Sequence, residues 1–149
     1  DPGCEACRAF YPIVKDILSK NPEDVRVVLR YATFHEGSET VVRMLEAARL
    51  QNVFTSVLES LLKDQQQWAS HHEPNINRAW EIAESAGLNL VSAKEVMYST
   101  EIDQLIAQDK EDIRSLNVRQ TPTFFVNKRA LPNFGQKPLY DLVISELNK

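Results

Sequence analysis

All the cysteine of this 149-residue chain lies within four consecutive residues, Cys4-Glu5-Ala6-Cys7, at the head of an apolar stripe of helical period. Cys7, Phe10, Tyr11, Val14, Ile17 and Leu18 recur at three- and four-residue steps, which makes one face of a helix from Cys4 to about Lys20. Cys4 therefore stands at a helix N-terminus, and Cys7 follows one turn later on the same side. A bridge between them would close too short a loop to stabilise a fold much, and a chain of this length buries roughly two-thirds of its unfolded surface without one. A closed zinc site needs more ligands than the pair supplies, and there is no second pair. His35, His71 and His72 are the only imidazoles, and the adjacent His71 and His72 diverge on a helix, so no metal site is expected. The pair is best read as chemistry.

Thiolate is the nucleophile in disulfide exchange, and an ordinary cysteine has a pKa of about 8.5, so a reactive one must be acidified by its surroundings. The unpaired amides and positive dipole end of a helix N-terminus do this for Cys4. The expected roles are Cys4 as exposed nucleophile and Cys7 as shielded resolver. Between them, Glu5 has the wrong sign to favour a thiolate and Ala6 is neutral, while Arg8 and the helix terminus act in the opposite sense to Glu5. The couple is expected to be moderately oxidising.

Charge narrows the partners. Lys and Arg total 17 against 21 Asp and Glu, a formal net charge of -4, which disfavours a nucleic-acid partner. The basic residues are interspersed with acidic ones, as in Lys110, Glu111, Asp112 and Arg114, the pattern of a solvated helix face. No run approaches the length of a membrane span, and the chain opens on Asp1-Pro2-Gly3, so it is expected to be soluble and trimmed of any targeting segment.

Pro12 interrupts the first helix and is expected to kink it without ending it, and Asn21-Pro22-Glu23-Asp24 is a stop and turn. Val25 to Tyr31 is rich in β-branched residues and reads as a buried strand. Ser38, with Glu39 beside it, is expected to open a helix to about Leu50; a second runs from Val53 toward Trp68, another from Ile76 to near Gly87, and a last from about Ser92 to Leu116, broken near Ser99-Thr100. Gln65-Gln66-Gln67 is too short to count as a biased tract. Thr123 to Val126 is a short apolar run, Arg129-Ala130-Leu131 its return strand after Asn127-Lys128, and Leu139, Leu142, Val143, Ile144 and Leu147 face inward from a closing helix. Trp68, Trp80, Phe54 and Met44 are expected in the core of the helical block. Phe10, Tyr11 and Phe134 are candidates for an apolar surface beside the sulfurs, and His35 for a loop after the strand.

The second site candidate is Gln120-Thr121-Pro122-Thr123-Phe124-Phe125-Val126. A proline directly before a buried strand invites a cis peptide, which would present the Thr121 backbone for strand-like pairing with a substrate segment.

Together these residues resemble the thioredoxin superfamily and, within it, the DsbA-like thiol–disulfide oxidoreductases of the bacterial cell envelope. The resemblance rests on Cys4-Glu5-Ala6-Cys7 at a helix start, Pro12 five places after Cys7, and Val118 to Asn127 with its Thr121-Pro122-Thr123 and hairpin. It covers nearly the whole chain. The long interval from Cys7 to Pro122 resembles the DsbA-like helical insertion. The resemblance implies an α/β, thioredoxin-like fold in one domain, residues 1–149, with core parts about 1–37 and 117–149 and an all-helical insertion about 38–116. It implies catalytic Cys4 and Cys7, redox tuning by Glu5, Ala6 and Arg8, and substrate binding by Thr121 and the cis-proline Pro122. It implies no cofactor beyond a redox-active Cys4–Cys7 disulfide, protein thiol or disulfide substrates, a redox partner protein, and a periplasmic or envelope location. The alternative is a thioredoxin-like binding module whose pair stays oxidised.

Glu5-Ala6 differs from the Pro-His of strongly oxidising members. The family also places a central strand before its aspartate-proline-x-cysteine turn, whereas this chain begins at Asp1. The strand is expected to be missing, leaving Val25–Tyr31 and Thr123–Val126 without a shared neighbour, or replaced by strand exchange in a dimer.

Overall fold

A computed structural model describes residues 1–149. The order of elements is α1 (Glu5–Lys20), six helices in succession, a β-hairpin and a closing helix. The six are α2 (Ser38–Leu50), α3 (Phe54–Lys63), α4 (Gln65–Trp68), α5 (Ile76–Ser85), α6 (Leu90–Val96) and α7 (Thr100–Ser115). The hairpin pairs β1 (Phe125–Val126) antiparallel with β2 (Arg129–Ala130), and α8 (Gln136–Leu147) follows. Helix α1 runs through Pro12 without ending, and the expected break before Thr100 separates α6 from α7 at the Ser99 cap.

The insertion builds the larger core. Val41, Val42, Met44, Ala47, Ala48, Val57, Leu61 and Ala79 are fully buried there, with Trp68 1% exposed and Phe54 and Trp80 packed partly buried against them. Trp68 is held by its indole N–H, which donates to the Leu61 carbonyl at 2.9 Å. A smaller cluster forms where α1 meets α8 and the hairpin: Ile17, Leu139 and Val143, with Phe10, Val14, Phe124 and Val126 against them. The longer helices thus bury most of the stripe their apolar spacing marks, but Ile144 of α8, expected to face inward, is 47% exposed.

Two further expectations need correction. Val25–Tyr31 forms no ladder: the sheet has two strands, and Val27, Val28 and Leu29 are exposed at 45%, 64% and 48%. An extended segment becomes a strand only when a neighbour takes its backbone hydrogen bonds, and none lies beside residues 26–30. The segment's end is anchored instead: the Tyr31 N–H donates to Asp109 at 2.8 Å and its hydroxyl to Glu46 at 2.5 Å, and the Arg30 side chain pairs with Asp109. Helix α2 opens at Ser38 as expected, and its cap is Gly37, at φ 78°. That left-handed backbone favours glycine, and a Cβ there would meet Pro74 and Ile76 at 2.9 Å. The return strand stops at Ala130, although the Leu131 N–H still donates to the Phe124 carbonyl at 3.0 Å. Asn127 and Lys128, both at positive φ, make the tight turn.

Candidate active site

Cys4 is the N-cap of α1, with an extended backbone at φ -84° and ψ 123°. Its Sγ accepts from the Cys7 N–H at 3.3 Å, so one of the donors that a helix start leaves unpaired is spent on sulfur. On its other side the Cys4 thiol donates to the Thr121 carbonyl at 3.3 Å. Residues far apart in sequence meet at this sulfur, and the Thr121–Pro122 peptide beside it is cis. Both cysteines are free thiols.

Burial pushes the Cys4 thiol up, but its hydrogen bonding with Thr121, with the amide and thiol of Cys7 and with the Ala6 amide outweighs it, and the net direction is down. Cys7 goes the opposite way: burial raises it, and the neighbouring Cys4 sulfur adds to the rise. The two thiols of one helical turn are therefore electronically distinct. Their exposure differs from expectation. Cys4 is 6% exposed and Cys7 is half-buried, so the nucleophile candidate is acidified yet recessed.

Of the other residues singled out from the sequence, Ala6 contributes through its backbone N–H. Glu5 lies exposed on the first turn, and Arg8 donates its backbone N–H to the Cys4 carbonyl at 3.2 Å. Neither side-chain charge is among the groups that move Cys4, as expected where solvent screens them. Phe10 stacks on Phe134 at 4.5 Å and Phe124 at 5.6 Å between ring centroids, joining the smaller core, while Phe134 stays 53% exposed above it. Tyr11 turns away toward α3, its hydroxyl donating to Glu59 at 3.1 Å. Burial and then Glu59 push its pKa up to about 12.

The sequence reading missed the hub that holds the turn before Cys4. The Asp1 carboxylate, with a side chain 0% exposed, accepts from the Gly3 N–H at 2.9 Å, the Ser38 hydroxyl at 2.5 Å, and the Phe34 and His35 N–H groups at 2.8 and 3.1 Å. The His35 Nδ1 lies 2.8 Å from the same carboxylate. Gly3 is pressed so close that a Cβ would stand 2.7 Å from Ser38 Oγ. From below, Gln65 of α4 donates to the Pro2 and Cys4 carbonyls at 2.7 and 3.0 Å. Asp1, Pro2 and Gly3 preceding Cys4 were legible as a turn; their partners, tens of residues away, were not.

A family model described as thioredoxin matches residues 1–139. The chain belongs to the thioredoxin family. It is also similar to the crystal structure of a thioredoxin-like oxidoreductase from Silicibacter pomeroyi DSS-3, at 26% identity and a TM-score of 0.84, covering 100% of this chain and 83% of that one. No curated protein matches significantly. The thioredoxin-like assignment accommodates the small sheet: six helices between the cysteine turn and the Thr121–Pro122 turn build most of the molecule, and the two turns still meet at Cys4. The fold is that of a thioredoxin-like oxidoreductase, and no helix is long and apolar enough to cross a membrane.

Proposed function

We propose that this protein is a DsbA-like thiol–disulfide oxidoreductase working through a mixed disulfide at Cys4. The observation that carries the reading is the pair of contacts at the Cys4 sulfur, the Cys7 N–H on one side and the Thr121 carbonyl on the other, each at 3.3 Å. In the reducing direction the Cys4 thiolate attacks a substrate disulfide, forming a Cys4–substrate S–S bond and releasing one substrate thiolate. Cys7 then loses its proton and attacks the Cys4 sulfur, which releases the second substrate thiolate and leaves a Cys4–Cys7 disulfide. The substrate gains two electrons and the pair loses two; the oxidising direction is the same sequence reversed.

Thr121 and Pro122 form the substrate-binding turn in this reading. The Thr121 N–H makes no backbone hydrogen bond, and its carbonyl is released when Cys4 gives up the proton it donates there, so both can then pair with an extended substrate segment. Redox tuning falls first to the Thr121 contact and then to the Cys7 and Ala6 amides, while the charges of Glu5 and Arg8, screened by solvent, add little. The redox group is the Cys4–Cys7 disulfide itself, the substrates are protein thiols or disulfides, and a second redox protein resets the pair. The resemblance to DsbA-like proteins supports an envelope location, where disulfides persist.

Alkylation of the reduced chain tests the reading. Cys4 should react with iodoacetamide faster than a free thiol at neutral pH while Cys7 lags, and the reduced chain should lose both thiols on exposure to glutathione disulfide. A pair that resists dithiothreitol, or two thiols of equal reactivity, supports the binding-module alternative instead.

A further inference from the structure

The insertion reaches the sulfur-bearing turn through one side chain. Gln65 is 1% exposed, sits in the short helix α4, and directs its amide nitrogen at two carbonyl oxygens at once, Pro2 at 2.7 Å and Cys4 at 3.0 Å. Two carbonyl acceptors fix which end of the amide faces them, since the reverse orientation would set oxygen against oxygen. The cost falls on the other end: Gln65 Oε1 is the one buried side-chain polar atom without a hydrogen-bond partner. An orphaned buried acceptor opposes folding by an amount comparable to what the two bonds contribute. An apolar side chain of similar volume would remove that orphan but leave the Pro2 carbonyl without its donor, so the exchange is close to even and net stability gives the amide little advantage. What Gln65 does supply is geometry, because it holds both carbonyls that bracket Gly3.

We propose that Gln65 is a positioning residue for the disulfide chemistry, the strut by which the helical insertion fixes the Cys4 turn. Cys4 must keep its capping conformation for Sγ to meet the Cys7 N–H at 3.3 Å. The Asp1 hub holds the start of the turn against α2 and the loop before it, and the Gln65 clamp holds its far side. With the clamp cut, the Cys4 carbonyl keeps only the Arg8 N–H, and the Pro2 carbonyl has no partner. The turn then relaxes and the sulfur drifts off the amides that favour its anion. This rests on Cys4 being the reactive thiol.

The test compares iodoacetamide rates at Cys4, across pH, in the parent chain, Gln65→Met and Gln66→Met. Gln66 is exposed on the same helix and serves as the control. In Gln65→Met the Cys4 profile should move up by about one pH unit, a roughly tenfold slower reaction at neutral pH, while thermal unfolding shifts little and Gln66→Met matches the parent. A folded Gln65→Met with the parent's profile overturns the proposal. Should Gln65→Met not fold, nuclear magnetic resonance of the parent decides: the Gln65 side-chain amide protons should exchange more slowly than those of Gln66 and shift when Cys4 is alkylated. Exchange as fast as at Gln66, with no shift, also overturns it. A parent whose Cys4 is no more reactive than a free thiol defeats the site reading instead, so the two failures are distinct.

Discussion

The Cys7 backbone N–H lies 3.3 Å from the Cys4 sulfur, and this contact divides the labour of the two thiols. It gives Cys4 a donor that is stronger for a thiolate than for a thiol, while Cys7 has burial against it and moves the other way.

This division has opposite signatures in the pH dependence of stability of the reduced chain. Cys4 has its pKa lowered by folding, so its contribution is full above the unfolded thiol value of about 8.5 and is lost as pH falls through the lower folded value. Cys7 has its pKa raised, so its contribution is full below about 8.5 and is lost as pH rises toward the higher folded value. Urea unfolding of reduced Cys7→Ala, which keeps only Cys4, should show stability rising with pH up to about 8.5. Reduced Cys4→Ala should show it falling above that point. Parallel curves for the two variants would contradict the assignment.

The Asp1 hub predicts a coupled pair of defects. Ser38→Ala removes the 2.5 Å hydrogen bond to a carboxylate that is 0% exposed and should cost about 2 kcal/mol in urea unfolding, the usual range for a bond to a charged group. Gly3→Ala should be at least as damaging, since its Cβ would meet Ser38 Oγ at 2.7 Å and His35 Cβ at 3.0 Å. The double variant should cost less than the sum of the singles, because removing Ser38 Oγ relieves part of the clash. Strict additivity would mean that the two residues do not share this contact.

Much of this plan was legible in the sequence. Periodicity located α1, α2 and α8 because each buries a stripe spaced for a helix, and Asn127-Lys128 marked the hairpin because the turn needs residues that tolerate positive φ. Val25–Tyr31 failed as a strand for the reason that β-propensity describes a residue's fit to a sheet and cannot supply the neighbour. The Cys4–Cys7 spacing and Thr121–Pro122 pointed to the site, but the groups that hold it did not. Asp1, Ser38 and Gln65 carry ordinary surface residue types, and only the packing of α2 and α4 against the turn makes them buried partners. Ser38 was legible as a helix start, but the service of its hydroxyl to Asp1 was not.

Asp109 of α7 predicts the largest effect away from the sulfurs. It is 5% exposed, accepts from the Tyr31 N–H at 2.8 Å and from Arg30 Nε at 2.5 Å, and Arg30 reaches on to Asp112. Asp109→Ala strands a buried N–H and should cost about 2–3 kcal/mol, with faster amide exchange at Tyr31. Asp109→Asn keeps a carbonyl acceptor and should recover part of the loss. A neutral Asp109→Ala would show that this anchor does not hold the extended segment to α7.

Whether Cys4 is the attacking thiol and Cys7 the resolving one is decided by trapping the mixed disulfide. Reduced Cys7→Ser, which keeps Cys4 but has no resolving thiol, is incubated at neutral pH with a disulfide-bonded peptide and resolved by mass spectrometry without reductant. A stable adduct is expected at Cys4, accumulating faster than any adduct at Cys7 in Cys4→Ser, with no lasting adduct on the parent chain, where Cys7 resolves it. Equal trapping at either cysteine, or none at Cys4, would contradict these roles.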